Sequence, residues 1–226
     1  MKKMTVFVIV SVLNEAPVLR GVIEELLAFA PHVIVVDDGS TDASLKTLKG
    51  LPILTLRHLV NRGQGAALQT GMACALEKGA DILVTFDGDG QHDPRDIEKL
   101  LKPIESGETD VSLGSRFLEK APHLPLLRRL LLQGGILFTR LTTGLPITDT
   151  HNGLRAFSQK AASKVRFTLD RMAHASELFE ILQKEKLRYR EVPVTIRYTP
   201  YSLRKGQSSW DLLRILGSLL ERSFLK

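Results

Sequence analysis

Five times in its first half, this chain sets a short apolar run before or between stretches of helical periodicity, and few folds accommodate that order. The apolar runs are residues 5–12, 33–37, 53–57, 81–86 and 110–114; the helical patterns between them cover 17–29, 43–49, 65–78 and 94–106. Runs that are apolar on both faces fit strands covered above and below, and strands separated by helices pair in parallel. The pattern therefore predicts an α/β protein with a mostly parallel sheet flanked by helices. Pro17 and Pro94 suit a first helical turn, where a missing N–H costs nothing.

Ligands of such sheets gather at the carboxyl ends of the strands, and the polar clusters of this chain share that address. Leu13-Asn14-Glu15 follows the first run, Asp37-Asp38-Gly39-Ser40-Thr41-Asp42 the second, and Asn61-Arg62-Gly63-Gln64-Gly65 comes shortly after the third. Asp87-Gly88-Asp89-Gly90-Gln91-His92 follows the fourth and Gly114-Ser115-Arg116 the fifth. Asp87 and Asp89, two residues apart where a strand must turn, can both offer oxygens to one hard divalent cation, with the Gln91 carbonyl a third. Gly88 and Gly90 keep the backbone small enough for a diphosphate to approach. A calcium loop is a poor fit to the same residues, because His92 stands where that loop wants Gly and a strand precedes it. A phosphatase using Asp87 as nucleophile, or a plain solvated turn, are the other readings of this motif.

At 226 residues the chain suits one domain with a sizeable core. The single Cys74 excludes an internal disulfide and fits a reducing cytosol. Met1-Lys2-Lys3 and the apolar residues after it faintly resemble a signal peptide. The run is short and ends in Asn14-Glu15, so a buried first strand explains it better. No stretch approaches the ~18 apolar residues of a membrane span. Six basic residues against one acid in 186–206 (Lys186, Arg188, Arg190, Arg197, Arg204 and Lys205 against Glu191) concentrate the net charge of +6. No nucleic-acid motif accompanies them, so a phosphate-bearing substrate or an anionic membrane face is the expected partner rather than nucleic acid. Residues 124–143 read as an apolar helix carrying Arg128, Arg129 and Arg140, with Gly134-Gly135 a kink or close-packing point. Residues 208–226 open on a capping-box-like Ser208-x-x-Asp211 and then form an amphipathic pattern. Either helix would pack on the domain or lie in a membrane interface.

Taken as an ordered set, these clusters resemble the family 2 glycosyltransferases, and within them the dolichyl- and polyprenyl-phosphate sugar synthases. The matching residues are Leu13-Asn14-Glu15, Val35 to Asp42, Asn61-x-Gly63-x-Gly65-x-Ala67, Asp87-x-Asp89-x-Gln91-His92, Gly114-Ser115-Arg116 and Asp149-x-x-x-Gly153-x-Arg155, and the likeness spans about residues 5 to 205. The resemblance implies the Rossmann-like GT-A fold, residues 1–206 as the catalytic domain, and residues 207–226 as an amphipathic helix, packed or at a membrane interface. It also implies a nucleotide-sugar donor (GDP-mannose or UDP-glucose), a polyprenyl-phosphate acceptor and a Mg²⁺ or Mn²⁺ cofactor. By the same resemblance Leu13, Glu15, Asp37, Asp38 and Gly65 lie at the nucleotide, and Asp87, Gly88, Asp89 and Gln91 hold metal and diphosphate. Arg116, Arg155, Arg204 and Lys205 face the acceptor phosphate and the leaving diphosphate. The chain departs from the family's pattern at His151, where Ser or Thr is usual, and at Ser209, where Lys is usual; it also lacks the C-terminal transmembrane helices of longer members.

The expected chemistry is a single displacement with inversion at the anomeric carbon, on the cytosolic face of a membrane and with a membrane-anchoring partner subunit in prospect. A polyprenyl phosphate is already an anion and needs no strong general base, whereas a sugar hydroxyl of a glycolipid or polysaccharide does. Asp149 is the candidate for that base, with Glu177 second. His92, His151 and His174 read as positioning or structural residues, because an oxygen-rich site prefers hard cations. A non-catalytic nucleotide-sugar-binding subunit is the rival of a different class, and the intact Asp87/Asp89 pair argues against it.

Overall fold

Each of the five apolar runs is a strand: β1 (Val6–Val12), β2 (Val33–Asp37), β3 (Leu54–Arg57), β4 (Ile82–Asp87) and β5 (Val111–Ser115). The computed structural model describes residues 4–118, 126–167, 174–199 and 201–202. The helices are α1 (Leu19–Leu27), α2 (Ser44–Thr47), α3 (Gln64–Glu77), α4 (Asp96–Glu105), α5 (Leu126–Thr143), α6 (Gln159–Lys164) and α7 (His174–Lys184). Two further strands, β6 (Arg155–Ser158) and β7 (Tyr189–Pro193), complete a seven-stranded sheet in the order β3-β2-β1-β4-β6-β5-β7. The N-terminal apolar run thus lies between β2 and β4, a position that accounts for its hydrophobicity.

Side chains alternate across each strand and feed two cores. Ile9, Ile34, Val36, Leu83 and Phe157 meet Ala67, Leu68, Met72 and Ala75 of α3 and Leu178, Phe179 and Leu182 of α7 on one face. Val8, Val10, Val35, Val84 and Phe86 meet Leu19, Ile23 and Leu26 of α1 and Ile97, Leu100 and Ile104 of α4 on the other. The helix starts fall slightly later than the prolines suggest, since Pro17 and Pro94 sit in the turns that precede α1 and α4.

All strands run in one direction except β6, which pairs antiparallel with both β4 and β5. A reversed strand begins where its neighbours end. The insertion therefore delivers Asp149 to Arg155 to the rim at which β1, β2, β4 and β5 finish. Gly134 and Gly135 do not break α5; Gly135 lets the helix approach His151, whose Cε1 would lie 3.1 Å from an added Cβ. Along α5, Leu132 and Ile136 are buried whereas Leu137 and Leu141 are exposed. Among the described residues no helix is long and apolar enough to cross a membrane. Arg204, Lys205 and the amphipathic pattern of 208–226, hence the segment 207–226 expected to follow the catalytic domain, lie outside the described residues.

The tightest approach of helix to sheet is at Gly71 of α3. A Cβ there would fall 2.3 Å from Ile9 Cγ2 and 3.0 Å from Val36 Cγ2, both on strands fixed from either side. Gly71→Ala is therefore expected to destabilise the chain by about 2 kcal/mol, the overpacking cost outweighing the better helix propensity; urea unfolding measures it.

Candidate active site

The loops after β1 and β2 are locked together by short polar side chains. Asn14 adopts φ 55°, a conformation asparagine tolerates better than most residues. In that pose its Oδ1 accepts from Thr41 N at 2.9 Å and Asp42 N at 3.3 Å, while its own N–H reaches Ser40 Oγ at 2.9 Å. Glu15 N donates to Ser44 Oγ at 2.8 Å and Ala16 N to Asp42 Oδ2 at 3.1 Å. Leu13 stays half open at this rim. Asp37 is fully buried; Ser40 N donates to it at 3.2 Å and Arg57 Nε lies 3.2 Å away. Asp38 accepts from Arg62 N at 2.9 Å, Gly63 N at 2.7 Å and His58 Nδ1 at 2.7 Å. Its carboxylate braces the loop leading into α3, where Gly65 is buried in the first turn.

Asp87 closes β4 in register with Ser11 of β1, while Asp37 closes β2 in register with Val12. The two aspartates thus flank β1, about 10 Å apart along two strand spacings. Both Asp87 oxygens are held: Gln64 Nε2 donates to Oδ1 at 2.8 Å and His92 Nε2 to Oδ2 at 2.9 Å. A carboxylate only accepts, so His92 carries its proton on Nε2, and its buried Nδ1 has no hydrogen-bond partner. Gly153 backs the same carboxylate, where a Cβ would stand 2.3 Å from Oδ2. Gly88 is pressed against β1, its added Cβ lying 3.1 Å from Val12 Cγ2.

Asp89 shares this corner, and its Oδ1 accepts from Gln91 N at 3.0 Å. Burial, then the nearby Asp87 charge, lift its carboxyl to about 6, with Glu15 adding a smaller push. Two half-buried carboxylates at one corner favour a cation between them. The oxygen donors Asp87, Asp89 and the Gln91 amide suit a hard divalent ion such as Mg²⁺ or Mn²⁺. Among the described residues no group of three or more His, Cys, Asp or Glu side chains assembles around a metal position, so two carboxylates are the acidic part of this set.

Across the rim, Asp149 receives Arg116 Nε at 2.6 Å and Arg116 N at 3.1 Å on Oδ2, and His151 N at 3.1 Å on Oδ1. Burial works against the Arg116 charge, but Asp149 more than offsets it and the guanidinium holds its proton above its usual range. Glu191 of β7 fixes this loop by accepting from Thr148 N at 2.7 Å and Asp149 N at 3.1 Å. Arg155 is enclosed, donating to the carbonyls of Asn152 at 2.9 Å and Thr150 at 3.3 Å. Burial lowers it to about 10, with Asp87 and Asp149 pulling the other way, so it remains a cation at neutral pH. His151 is half-buried, and loss of solvent lowers its imidazole to about 4, so it is neutral. Glu177, in the first turn of α7, is buried; the His174 side chain lies outside the described residues.

Beyond β7 the chain crosses back over the Asp87 loop. Thr195 N donates to Asp96 Oδ2 at 2.6 Å, Arg197 N to the Gln91 carbonyl at 2.7 Å, and Ile196 bridges His92. Arg197 ties this strap to Glu25 of α1 at 2.8 Å and to Asp93 at 3.0 Å, and Tyr201 ends it with its hydroxyl 2.7 Å from Glu15 Oε2. Arg188 pairs with Asp110 and Arg190 with Glu108, so three arginines of the basic segment serve as ties. Gln64, His58, Glu191 and Tyr201 are the residues that sequence reasoning did not single out. Gln64 carried a signal, lying inside a glycine-rich cluster at the strand edge; the other three carried none.

Comparison with known proteins agrees with this geometry. The family model described as Glycosyl transferase family 2 matches residues 7–166. A Methanococcus voltae protein named UDP-N-acetylglucosamine–dolichyl-phosphate N-acetylglucosaminyltransferase is 34% identical over 238 residues, covering 95% of this chain and 94% of its own. An undecaprenyl-phosphate mannosyltransferase of Micrococcus luteus is 28% identical over 222 residues, covering 93% and 90%. Among solved structures, the glucosyl-3-phosphoglycerate synthase of Mycobacterium tuberculosis, crystallised with Mn²⁺, UDP and phosphoglyceric acid, superposes with a TM-score of 0.70 at 19% identity, covering 96% of this chain and 78% of that one. The shared architecture is the GT-A fold.

Two stability effects follow. The folded chain holds a proton on Asp89 up to about pH 6, whereas an unfolded aspartate loses it near 4. Its contribution to stability is therefore complete below about pH 4 and is lost as pH rises through 6. Asp89→Asn should raise the melting temperature of the metal-free chain by about 3 °C at pH 8, with the gain shrinking toward pH 4; a pH series of thermal melts reads this directly. Asp149→Asn leaves Arg116 buried beside a neutral amide and should cost about 3 kcal/mol in denaturant unfolding.

Proposed function

Since this chain belongs to glycosyl transferase family 2, we propose that it moves a hexose from a nucleotide-diphosphate sugar, with inversion, to the phosphate of a polyprenyl lipid. The observation that carries this reading is the pairing of a half-buried carboxylate couple, Asp87 and Asp89, with two buried arginines, Arg116 and Arg155, on one rim of the sheet. Glu15, Asp37 and Leu13, with Gly65 behind them, form the nucleoside end; Asp38 acts through the loop it braces. Asp87, Asp89 and the Gln91 side-chain carbonyl are the residues that would hold Mg²⁺ or Mn²⁺, which when bound supplies positive charge to the departing diphosphate. Gln64 and His92 keep Asp87 turned to that task.

Asp149 favours an anionic acceptor over a sugar hydroxyl. Both of its oxygens already accept bonds, one of them from a charged guanidinium at 2.6 Å, so its lone pairs are directed at Arg116 and the His151 N–H rather than at an acceptor hydroxyl. A phosphate acceptor needs none, and fixed arginine charge nearby suits it. The relatives named for transfer to dolichyl and undecaprenyl phosphate support the same class. A lipid acceptor implies peripheral contact with a membrane, at its cytosolic face, to which the exposed Leu137 and Leu141 of α5, the basic Arg204 and Lys205, and residues 207–226 would contribute; a membrane-anchoring subunit would serve the same end.

A panel of UDP- and GDP-sugars with Mn²⁺ and a short polyprenyl phosphate, scored by product mass, tests the assignment. One donor should yield a polyprenyl-phosphate sugar. Asp89→Ala should lower turnover at least about 100-fold; unchanged turnover would remove the metal from the reaction, and product formed only on sugar hydroxyls would replace the acceptor.

A further inference from the structure

The strap after β7 is fastened at one end and aimed at the other. Thr195 pins it to Asp96 at the start of α4 and Arg197 to the Asp87 loop and to α1, with Arg197 forking onto Glu25 and Asp93. Within four residues of that anchor the chain places the Tyr201 hydroxyl 2.7 Å from Glu15 Oε2, with the Asn14 carbonyl 3.5 Å away. Glu15 is buried, and its backbone is fixed through Ser44. The phenol stands among Glu15, Asp42 and Asp89; burial first, then the Glu15 bond and these charges, hold its proton well above the usual range for tyrosine. Tyr201 is therefore a donor to Glu15 at every working pH.

From this contact we infer that Tyr201 is a positioning residue for the nucleoside end of the donor: it fixes the Glu15 carboxylate as an acceptor for the ring N–H of a uracil or guanine base. The inference rests on the reading of this cleft as a nucleotide-sugar site. A pinned carboxylate offers its lone pairs in one direction, whereas an unpinned one must be ordered when the base arrives. The strap thereby joins the two ends of one ligand, with Arg197 at the diphosphate loop and Tyr201 at the base.

Calorimetric binding of UDP, GDP and pyrophosphate to the full chain with Mn²⁺ tests this, comparing wild type with Tyr201→Phe and Glu15→Gln. Tyr201→Phe keeps the ring and removes only the hydroxyl. It should weaken the preferred nucleotide about tenfold while leaving pyrophosphate within about twofold. Glu15→Gln should give the same split, and the double variant should be no weaker than the worse single one, because both act through one contact. Nucleotide affinity unchanged in Tyr201→Phe overturns the inference. So does an equal loss for pyrophosphate, which marks a general structural effect. Wild-type protein that binds neither nucleotide instead sinks the underlying reading of the cleft.

Discussion

The arrangement of the rim depends on keeping one carboxylate, Asp87, fixed where like charge accumulates. Its oxygens are held by Gln64 from α3 and His92 from the following loop, and Gly153 of the neighbouring loop presses against it. Each support comes from a different part of the chain, so the position of Asp87 is set only when the sheet is complete. Arg155, buried behind this corner and bonded to carbonyls rather than to a carboxylate, supplies positive potential without occupying the carboxylate's outer face. A salt bridge there would neutralise Asp87 and close the site. A cation held at a distance tempers the repulsion and leaves the oxygens available.

The antiparallel β6 is what makes that possible. In an all-parallel sheet, each strand contributes only its carboxyl end to the binding rim. Reversing one strand brings an amino end to the same edge, and with it the turn that carries Asp149, Gly153 and Arg155. Thr85 Oγ1 fastens the turn by donating to the Gly153 carbonyl at 2.6 Å, and Gly114 N to the Leu154 carbonyl at 2.9 Å. Gly114 itself leaves no room for a side chain, since an added Cβ would lie 2.7 Å from that carbonyl. Arg155, and the Asp149 carboxylate that holds Arg116, are thus positioned by strand direction as much as by their own contacts.

Strands β1, β2, β4 and β5 were legible because burial on both faces leaves a nearly continuous apolar run, and the edge strand β3, half-buried and exposed by turns, because it falls between two helical patterns; their clusters were legible because strand ends share an edge. β6 and β7 were not. Arg-Ala-Phe-Ser and Tyr-Arg-Glu-Val-Pro are short, mix charge with apolar residues, and gain strand character from pairing, β6 with β4 and β5 and β7 with β5. The roles inside the clusters were harder still. Asp38 sits in the same motif as Asp37, yet its three bonds to the loop before α3 depend on the fold and leave no periodic trace in the sequence. Tyr201 and Glu15 lie 186 residues apart, a separation at which no local pattern operates. In the basic segment composition counts charge but not partners: Arg188, Arg190 and Arg197 are each met by a carboxylate, and Arg204 and Lys205 lie outside the described residues.

The same physics explains why the two sides of the rim are built in opposite ways. On the Asp149 side, opposite charges are paired at short range, so the loop is rigid and electrically satisfied before any ligand arrives. On the Asp89 side, like charges are left together, which raises the Asp89 carboxyl above its ordinary range after burial has done so; on the proposed reading a cation and its diphosphate would relieve that repulsion. On that reading, binding at the second side would relieve a repulsion already present, whereas the Asp149 loop is held by its own bonds before any ligand arrives. A transferase gains from that division. On the proposed reading, the leaving group would be drawn to the like-charged side and the incoming nucleophile would meet a preorganised one, so much of the electrostatic work of the reaction would be done when the chain folds.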